Sequence, residues 1–281
     1  MKRFVPIVIG FILWSGSLQA ARLRYDSTSV NQAAEARLSA SFTKHFKRGV
    51  TLGFAEEVRL QIFRQESKRA TGTSQTAYVI QPEPEYLRRA YTTVSLGYKP
   101  VEYIGFNAAY TLMLYGNKGW TDYREFLRHR AAVAVTGQYK YLGWKFALRE
   151  RLDMNFRTDS VNPDEKSWMD LRLRHRIHVS YDLPHEPWKI FLNVELINTL
   201  NCPTAYLNKV TGKDYGQYLS DIRTQIGFTR RIDRRSSLTL SYRLHYGIER
   251  DVDITHGAGH IKLWNEQTFT HILSIQYELD W

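Results

Sequence analysis

Residues 127–156 read LRHRAAVAVTGQYKYLGWKFALRERLDMNF, and their alternation decides the fold. From Ala131 to Tyr139 every second residue is small, apolar or aromatic, and the intervening positions continue a set that begins with Arg128 and Arg130. After a break at residues 140–143 the same alternation resumes. A period of two indicates extended strands with an apolar face and an arginine-bearing face. The short break predicts a tight turn, so the stretch is an antiparallel hairpin.

This hairpin pattern repeats along the whole chain. The short connections that we predict are at residues 47–49, 99–103, 140–143, 183–187 and 232–236. They alternate strictly with long ones at residues 64–85, 116–123, 157–168, 198–217 and 249–266. Bacterial outer-membrane barrels combine short periplasmic turns and long external loops with an apolar outer face and a polar lumen. The sequence therefore predicts an all-β fold, a transmembrane antiparallel up-and-down β-barrel.

The number of strands follows from the same pattern and from parity. Eleven strands are clear in the sequence. Because the last strand must run towards the periplasm, an even count needs one more strand near residues 22–30. We therefore expect 12 strands, with 10 as the alternative if one weak segment stays unpaired.

The N-terminal residues predict export. Lys2 and Arg3 precede an apolar run at residues 4–14, and residues 15–21 are mostly small. This order is typical of a secretory signal peptide. We expect a signal peptide at residues 1–21 and a barrel at residues 22–281. Cys202 is the only cysteine of the chain, so an intrachain disulfide is excluded.

Composition narrows the function classes. The mean hydropathy of −0.43 gives no sign of helical membrane spans, but alternation hides the membrane signal of a barrel. The aromatic fraction of 14% fits aromatic girdles, and a soluble aromatic-rich sandwich is the alternative. The net charge of +11 raises the question of nucleic acid. We expect none, since the arginines occupy alternate strand positions and not a helix or a basic tail.

The last strand, THILSIQYELDW, also alternates and ends on Trp281. This ending resembles the signal by which bacterial outer-membrane proteins engage the barrel-assembly machinery. The stretches LRHRAAVAVTGQYKYLGWKFALRERLDMNFR, LRLRHRIHVSYDLP and FLNVELINTL are similar to the family known as domain of unknown function 2490, a set of predicted outer-membrane barrels. The resemblance implies a barrel in the bacterial cell outer membrane, in contact with its lipids, and brings no activity or site residues.

The arginine face is the main candidate site. We expect the following basic residues to line the lumen: Arg128, Arg130, Arg149, Arg151, Arg172, Arg174, Arg176, Arg223 and Arg243. The expected acidic partners are Glu57, Asp153, Glu195 and Glu278. In one interpretation these charges pair and fill a narrow lumen. In the other, the excess of positive charge favours anionic solutes, as charged rings do in pores.

Other chemistry has weaker support in the sequence. His178 and Ser180 lie two apart on one strand face, as in outer-membrane lipid hydrolases, but on the arginine face and without an evident orienting Asn. His129 and His175 fall on the apolar face near strand beginnings, where we expect the outer interface and not a metal site. We expect a small porin or passive channel without a cofactor, and not an enzyme. The alternatives are a closed structural or ligand-binding barrel and a lipid-modifying enzyme.

Overall fold

The computed structural model describes residues 27–70, 77–80, 87–116, 127–157, 169–201, 218–254 and 261–281. These residues form strands and one single-turn 3-10 helix at Lys47–Gly49. The strands are β1 (Ser27–His45), β2 (Val50–Ala70), β3 (Ala77–Ile80), β4 (Arg89–Val101), β5 (Ile104–Tyr115), β6 (Leu127–Tyr141), β7 (Trp144–Arg157), β8 (Met169–Asp182), β9 (Trp188–Thr199), β10 (Tyr218–Arg231), β11 (Ser236–Ile254) and β12 (Ile261–Asp280). Within the described residues, no helix is long and apolar enough to cross a membrane. The predicted signal peptide at residues 1–21 lies outside the described residues.

The strands close into a β-barrel, which confirms the predicted all-β barrel fold. Each strand of the wall pairs with its neighbour in the chain, and β2 pairs with both β1 and β4. The short strand β3 pairs with β2 only and stands outside the ring. Eleven strands therefore form the wall. All neighbours are antiparallel except β1 and β12, which run parallel and close the ring.

The predicted count of 12 strands is wrong, and so is the alternative of 10. The prediction placed a separate strand near residues 22–30, but Ser27–His45 is one continuous strand. Parity requires an even number only when every neighbouring pair is antiparallel. Here the backbone N–H of Trp281 donates to Thr43 O at 2.7 Å, and the N–H of His45 donates to Trp281 O at 2.7 Å. This parallel seam closes a wall with an odd number of strands.

The two faces of each strand differ in polarity, as the alternation predicts. On β6, Val133 is 49% exposed on the outer side, whereas its neighbour Ala132 is 5% exposed on the inner side. On β7, Phe146 points outwards and is 45% exposed, whereas Asp153 points inwards and is 2% exposed. Large apolar residues thus cover the outside of the barrel, and polar residues fill the inside.

The connections at one end of the barrel are short. Leu142 and Gly143 join β6 to β7, and both have positive φ, 46° and 82°, as in the two-residue turns that suit twisted hairpins. At the other end, two predicted loops are partly strand. β2 continues to Ala70 in the predicted loop at residues 64–85, and β11 continues to Ile254 in the one at residues 249–266. Hairpins therefore extend further at this end than the apolar pattern indicates.

Candidate functional site

The structure brings the arginine face of the sequence to the inside of the barrel. Nine predicted lumen arginines lie at inward positions of five strands: Arg128 and Arg130 on β6, Arg149 and Arg151 on β7, Arg172, Arg174 and Arg176 on β8, Arg223 on β10 and Arg243 on β11. The predicted acids Glu57, Asp153, Glu195 and Glu278 face the same interior. The lumen therefore holds guanidinium groups at close quarters, and their partners determine what the lumen can bind.

A series of ion pairs begins on β7. The Nε of Arg151 donates to Asp153 Oδ1 at 2.5 Å, and Nη1 of Arg174 donates to Asp153 Oδ2 at 3.0 Å. Arg151 and Arg174 are directly opposite each other in the register of β7 and β8. Two like charges in that arrangement destabilise a sheet. The carboxylate of Asp153 bridges the two guanidinium groups and removes that cost.

The series continues across the next strands. Glu195 Oε2 accepts hydrogen bonds from Arg174 Nη2 at 3.0 Å and from Arg223 Nη1 at 3.3 Å. Arg223 Nη2 donates to Asp221 Oδ1 at 3.0 Å, and the same oxygen contacts His245 Nε2 at 2.5 Å. The result is an alternating ladder of arginines and carboxylates from β7 to β10, with His245 of β11 at its end, which we call the ion-pair ladder. Charge-assisted pairs of this kind hold the guanidinium groups in fixed orientations.

A second cluster lies on β1, β2 and the residues before β4. Glu35 accepts from Arg37 Nη2 at 2.9 Å and also pairs with Arg88. On β2, Arg59 Nε donates to Glu57 Oε1 at 2.5 Å. The sequence analysis did not include Glu35 and Arg37 in the lumen set. Their signal was available, since they alternate with Ala36 and Leu38 on β1, but only the apolar face of this strand was used in the prediction.

Aromatic rings lie against three arginines of the wall. The guanidinium groups of Arg89 and Arg128 each lie over the ring of Tyr115, with Cζ at 4.5 Å from the ring centroid. Arg59 lies over the ring of Tyr91 at 4.1 Å. Such contacts stabilise a cation without neutralising it. For Arg59 the ring contact adds to the ion pair with Glu57.

Three arginines have a different environment from those of the ion-pair ladder. Arg149 donates only to the neutral Asn107 Oδ1, at 3.4 Å, and Arg243 donates to Gln225 Oε1 at 2.8 Å. Within the described part of the chain, no carboxylate lies within 4.0 Å of Arg149, Arg176 or Arg243. They line a cavity of about 110 Å³ together with Arg151, Arg174 and Glu195. We call this cavity the arginine cavity.

Among the described residues, one predicted acidic partner contacts no arginine. The described hydrogen bonds of Glu278 come from Ser237 Oγ at 3.3 Å and Gln276 Nε2 at 2.6 Å. Glu278 lies at the turn end of β12, away from the ion-pair ladder. The alternation of β12 predicted that Glu278 points inwards, but it did not predict the position of Glu278 along the barrel axis relative to the arginines.

His178 has the polar partner that the sequence analysis missed. Its Nδ1 contacts Asn193 Oδ1 at 2.6 Å across the β8–β9 pair. Ser180 lies two residues along the same strand and is 2% exposed, and its hydroxyl has no hydrogen-bond partner among the described residues. All three side chains face inwards. This arrangement does not connect Ser180 to His178 and leaves the hydroxyl away from the outer face of the barrel.

The two histidines of the apolar face have outward partners. His129 Nδ1 contacts the hydroxyl of Tyr110 at 2.5 Å, and His175 Nδ1 contacts Glu150 Oε2 at 2.5 Å. His175 is in the middle of β8 and not near its beginning, so the prediction of its place was wrong. Glu150 interrupts the apolar outer face of β7 at a similar distance from the turn. The two side chains contact each other on the outer face, while His175 Nε2 is buried without a hydrogen-bond partner among the described residues.

Among the described residues, no three His, Cys, Asp or Glu side chains come together in a way that could hold a metal ion.

The family model described as "Protein of unknown function (DUF2490)" matches residues 38–253 of the chain. The matched residues run from β1 to β11 and contain the ion-pair ladder and the arginine cavity. A search of curated proteins finds no match.

Proposed function

We propose that this chain, which belongs to the DUF2490 family of proteins of unknown function, is an integral β-barrel of the bacterial outer membrane that forms a small passive channel. The observation that carries this proposal is the inversion of polarity. The outer face of the barrel is apolar, and the inner face collects arginines that outnumber the carboxylates. A channel lined in this way favours anionic solutes.

The outer surface supports membrane insertion. Soluble monomers rarely expose a contiguous apolar patch of more than a few hundred Å². Here exposed apolar residues run around the whole wall, from Leu38 on β1 to Ile275 on β12. Exposed aromatic residues gather near the turn end, as in the girdle of a transmembrane barrel. They are Tyr98, Tyr103, Tyr139, Tyr141, Trp144, Trp188 and Trp281.

The pattern of ion pairs supports a lumen lined by charges. The described ion pairs join residues of one strand, of neighbouring strands or of strands separated by one other strand. They therefore follow the curved wall. Ion pairs between opposite walls would favour a plugged lumen. The C-terminal strand ending at Trp281 is, in this proposal, the segment that the barrel-assembly machinery engages, and the surrounding partners are outer-membrane lipids.

A closed structural or ligand-binding barrel is the second candidate. The observation in its favour is the ion-pair ladder, in which Asp153 is 2% exposed. Such a ladder would fill part of the lumen and fix the shape of the wall. The two candidates differ in one measurable quantity, the passage of ions.

Planar-bilayer recording of the purified, refolded protein tests the proposal. A step-wise conductance is expected, and in a potassium chloride gradient its reversal potential should show preference for chloride. The double variant Arg149→Gln/Arg176→Gln should shift the reversal potential towards zero. Arg230→Gln is the control, since Arg230 lies on the outer side over Trp188. Absence of conductance from folded protein, or a preference for potassium, would overturn the proposal.

A further inference from the structure

The arginine cavity contains two layers of facing arginines that differ in one respect. Arg151 faces Arg174 in the register of β7 and β8, and one step towards the turn Arg149 faces Arg176. Asp153 bridges the first pair through both of its oxygens. No carboxylate of the described residues approaches within 4.0 Å of the second pair. The charge of the Arg151–Arg174 pair is thus partly neutralised by Asp153, whereas the Arg149–Arg176 pair has no such carboxylate among the described residues.

The donors of the second pair point to an anion as ligand. The Nε groups of Arg149, Arg174 and Arg176 are buried and have no hydrogen-bond partner among the described residues. Of these three arginines, Arg149 and Arg176 also lack a described carboxylate within 4.0 Å. A buried donor without an acceptor is costly, and the cost is larger for a charged group. A guanidinium group presents its donors as a planar fork that matches the oxygens of a carboxylate or a phosphate.

The charge of the cavity determines how many negative charges the ligand should carry. Five arginines and one glutamate line it, and the ion-pair ladder already engages Arg151, Arg174 and Glu195. Arg149, Arg176 and Arg243 remain without a carboxylate partner in the described part of the chain. A singly charged ion leaves most of this positive charge uncompensated. An oxyanion with two or more charges matches it better and offers several acceptor oxygens.

We infer that the arginine cavity is a binding site for a multiply charged oxyanion of the phosphate type, held between Arg149 and Arg176 with Arg243 at one side. The ligand's oxygens take the role that Asp153 has between Arg151 and Arg174. The inference rests on the proposed channel function, since it names the solute class that the lumen would select. The channel is then selective for phosphate-bearing solutes, and not a general pore.

Isothermal titration of the folded barrel in detergent micelles with inorganic phosphate tests the site directly. Phosphate should bind with saturation, and chloride at the same ionic strength should not. Arg149→Gln and Arg176→Gln should each weaken the affinity for phosphate by about tenfold or more, because each removes charged hydrogen bonds. The matched control is Arg89→Gln. It removes the same charge from the lumen, but at Arg89 on β4, whose side chain lies over Tyr115 of β5 and does not line the cavity. Circular dichroism of each variant reports whether the barrel has folded.

The outcomes separate the site from the channel. Phosphate binding that depends on Arg149 and Arg176 but not on Arg89 supports the site. Equal weakening by Arg89→Gln, or binding of phosphate no tighter than that of chloride, overturns it in favour of a diffuse positive potential. A protein that binds phosphate but passes no current keeps the site and loses the channel. A conducting barrel that does not bind phosphate keeps the channel and loses the site.

Discussion

The parallel seam between β1 and β12 makes the sharpest prediction about this barrel, since it decides the number of strands. Leu38 on β1 lies opposite Ile275 on β12 in the parallel register and opposite Val58 on β2 in the antiparallel one. The side chains of Leu38 and Ile275 both point outwards and are 49% and 46% exposed. We therefore expect the pair Leu38→Cys/Ile275→Cys to form a disulfide in the folded protein, with Cys202→Ser in the background to remove the native thiol.

The distances decide between the two strand counts. Neighbouring strands lie about 4.8 Å apart, which is within the range of about 4.4–6.8 Å between the Cα atoms of a disulfide. A twelfth strand between β1 and β12 would double that separation to about 9.6 Å, which no disulfide bridges. Leu38→Cys/Leu279→Cys tests the register, because Leu279 lies four residues further along β12, about 13 Å away.

Oxidation with copper phenanthroline, followed by denaturing electrophoresis without reductant, measures the cross-link by the shift of the band. Leu38→Cys/Val58→Cys is the positive control, since it uses the same first cysteine on the undisputed side of β1. If this control forms its disulfide and the Ile275 pair does not, the parallel seam is wrong. Equal yields from the Ile275 and Leu279 pairs would also refute it, because the register would then be unspecified.

Two further predictions concern the lumen and a turn. Glu195→Gln should lower the free energy of unfolding in urea by about 2–3 kcal/mol, because Arg174 and Arg223 lose the carboxylate that they share. Glu278→Gln, which touches no arginine in the described structure, should cost about 1 kcal/mol, and equal losses would contradict the importance of the ion-pair ladder. In the β10–β11 turn, hydrogen bonds from the Ser236 hydroxyl and from the N–H groups of Arg235 and Ser236 hold the pKa of Asp233 below its ordinary value. Because the pKa is lowered, the charged carboxylate stabilises the turn fully at pH values above the ordinary carboxyl pKa, and this stabilisation is lost as the pH falls through the lowered pKa. The carboxyl chemical shift of Asp233 measures this midpoint, and Ser236→Ala should move the midpoint back upwards.

The alternation of the sequence predicted the faces well, because burial on one side of a sheet imposes a period of two. It could not predict the closure. Residues 27–34 read STSVNQAA and carry no apolar outer face, so nothing in them indicates continuity with the strand that follows. The structure pairs them with both β2 and β12 through the backbone. Backbone pairing leaves no mark on the side-chain pattern, and the parity argument therefore predicted a separate strand where residues from Ser27 onwards belong to β1.

The register between β8 and β9 explains why the sequence analysis missed Asn193 as the partner of His178. The predicted turn at residues 183–187 would place Asp182 opposite Trp188, but the structure places it opposite Lys189. A slip of one residue moves every side chain to the other face of its partner strand. With the predicted turn, His178 would face Leu192, and with the observed one it faces Asn193. A sequence can thus indicate which residues line the lumen and still fail to show which of them touch.

The two interpretations of the arginine face, structural and functional, do not compete for the same residues. The ion-pair ladder uses Arg151, Arg174 and Arg223, whose carboxylate partners hold them along the wall from β7 to β10. Arg149 and Arg176 have no such partner among the described residues, and they share the lining of the cavity with Arg151 and Arg174. Fixed ion pairs orient the wall on which the other two guanidinium groups stand, and preorganised donors bind an anion better than mobile ones. The order in one set of arginines is therefore what would make the other set selective.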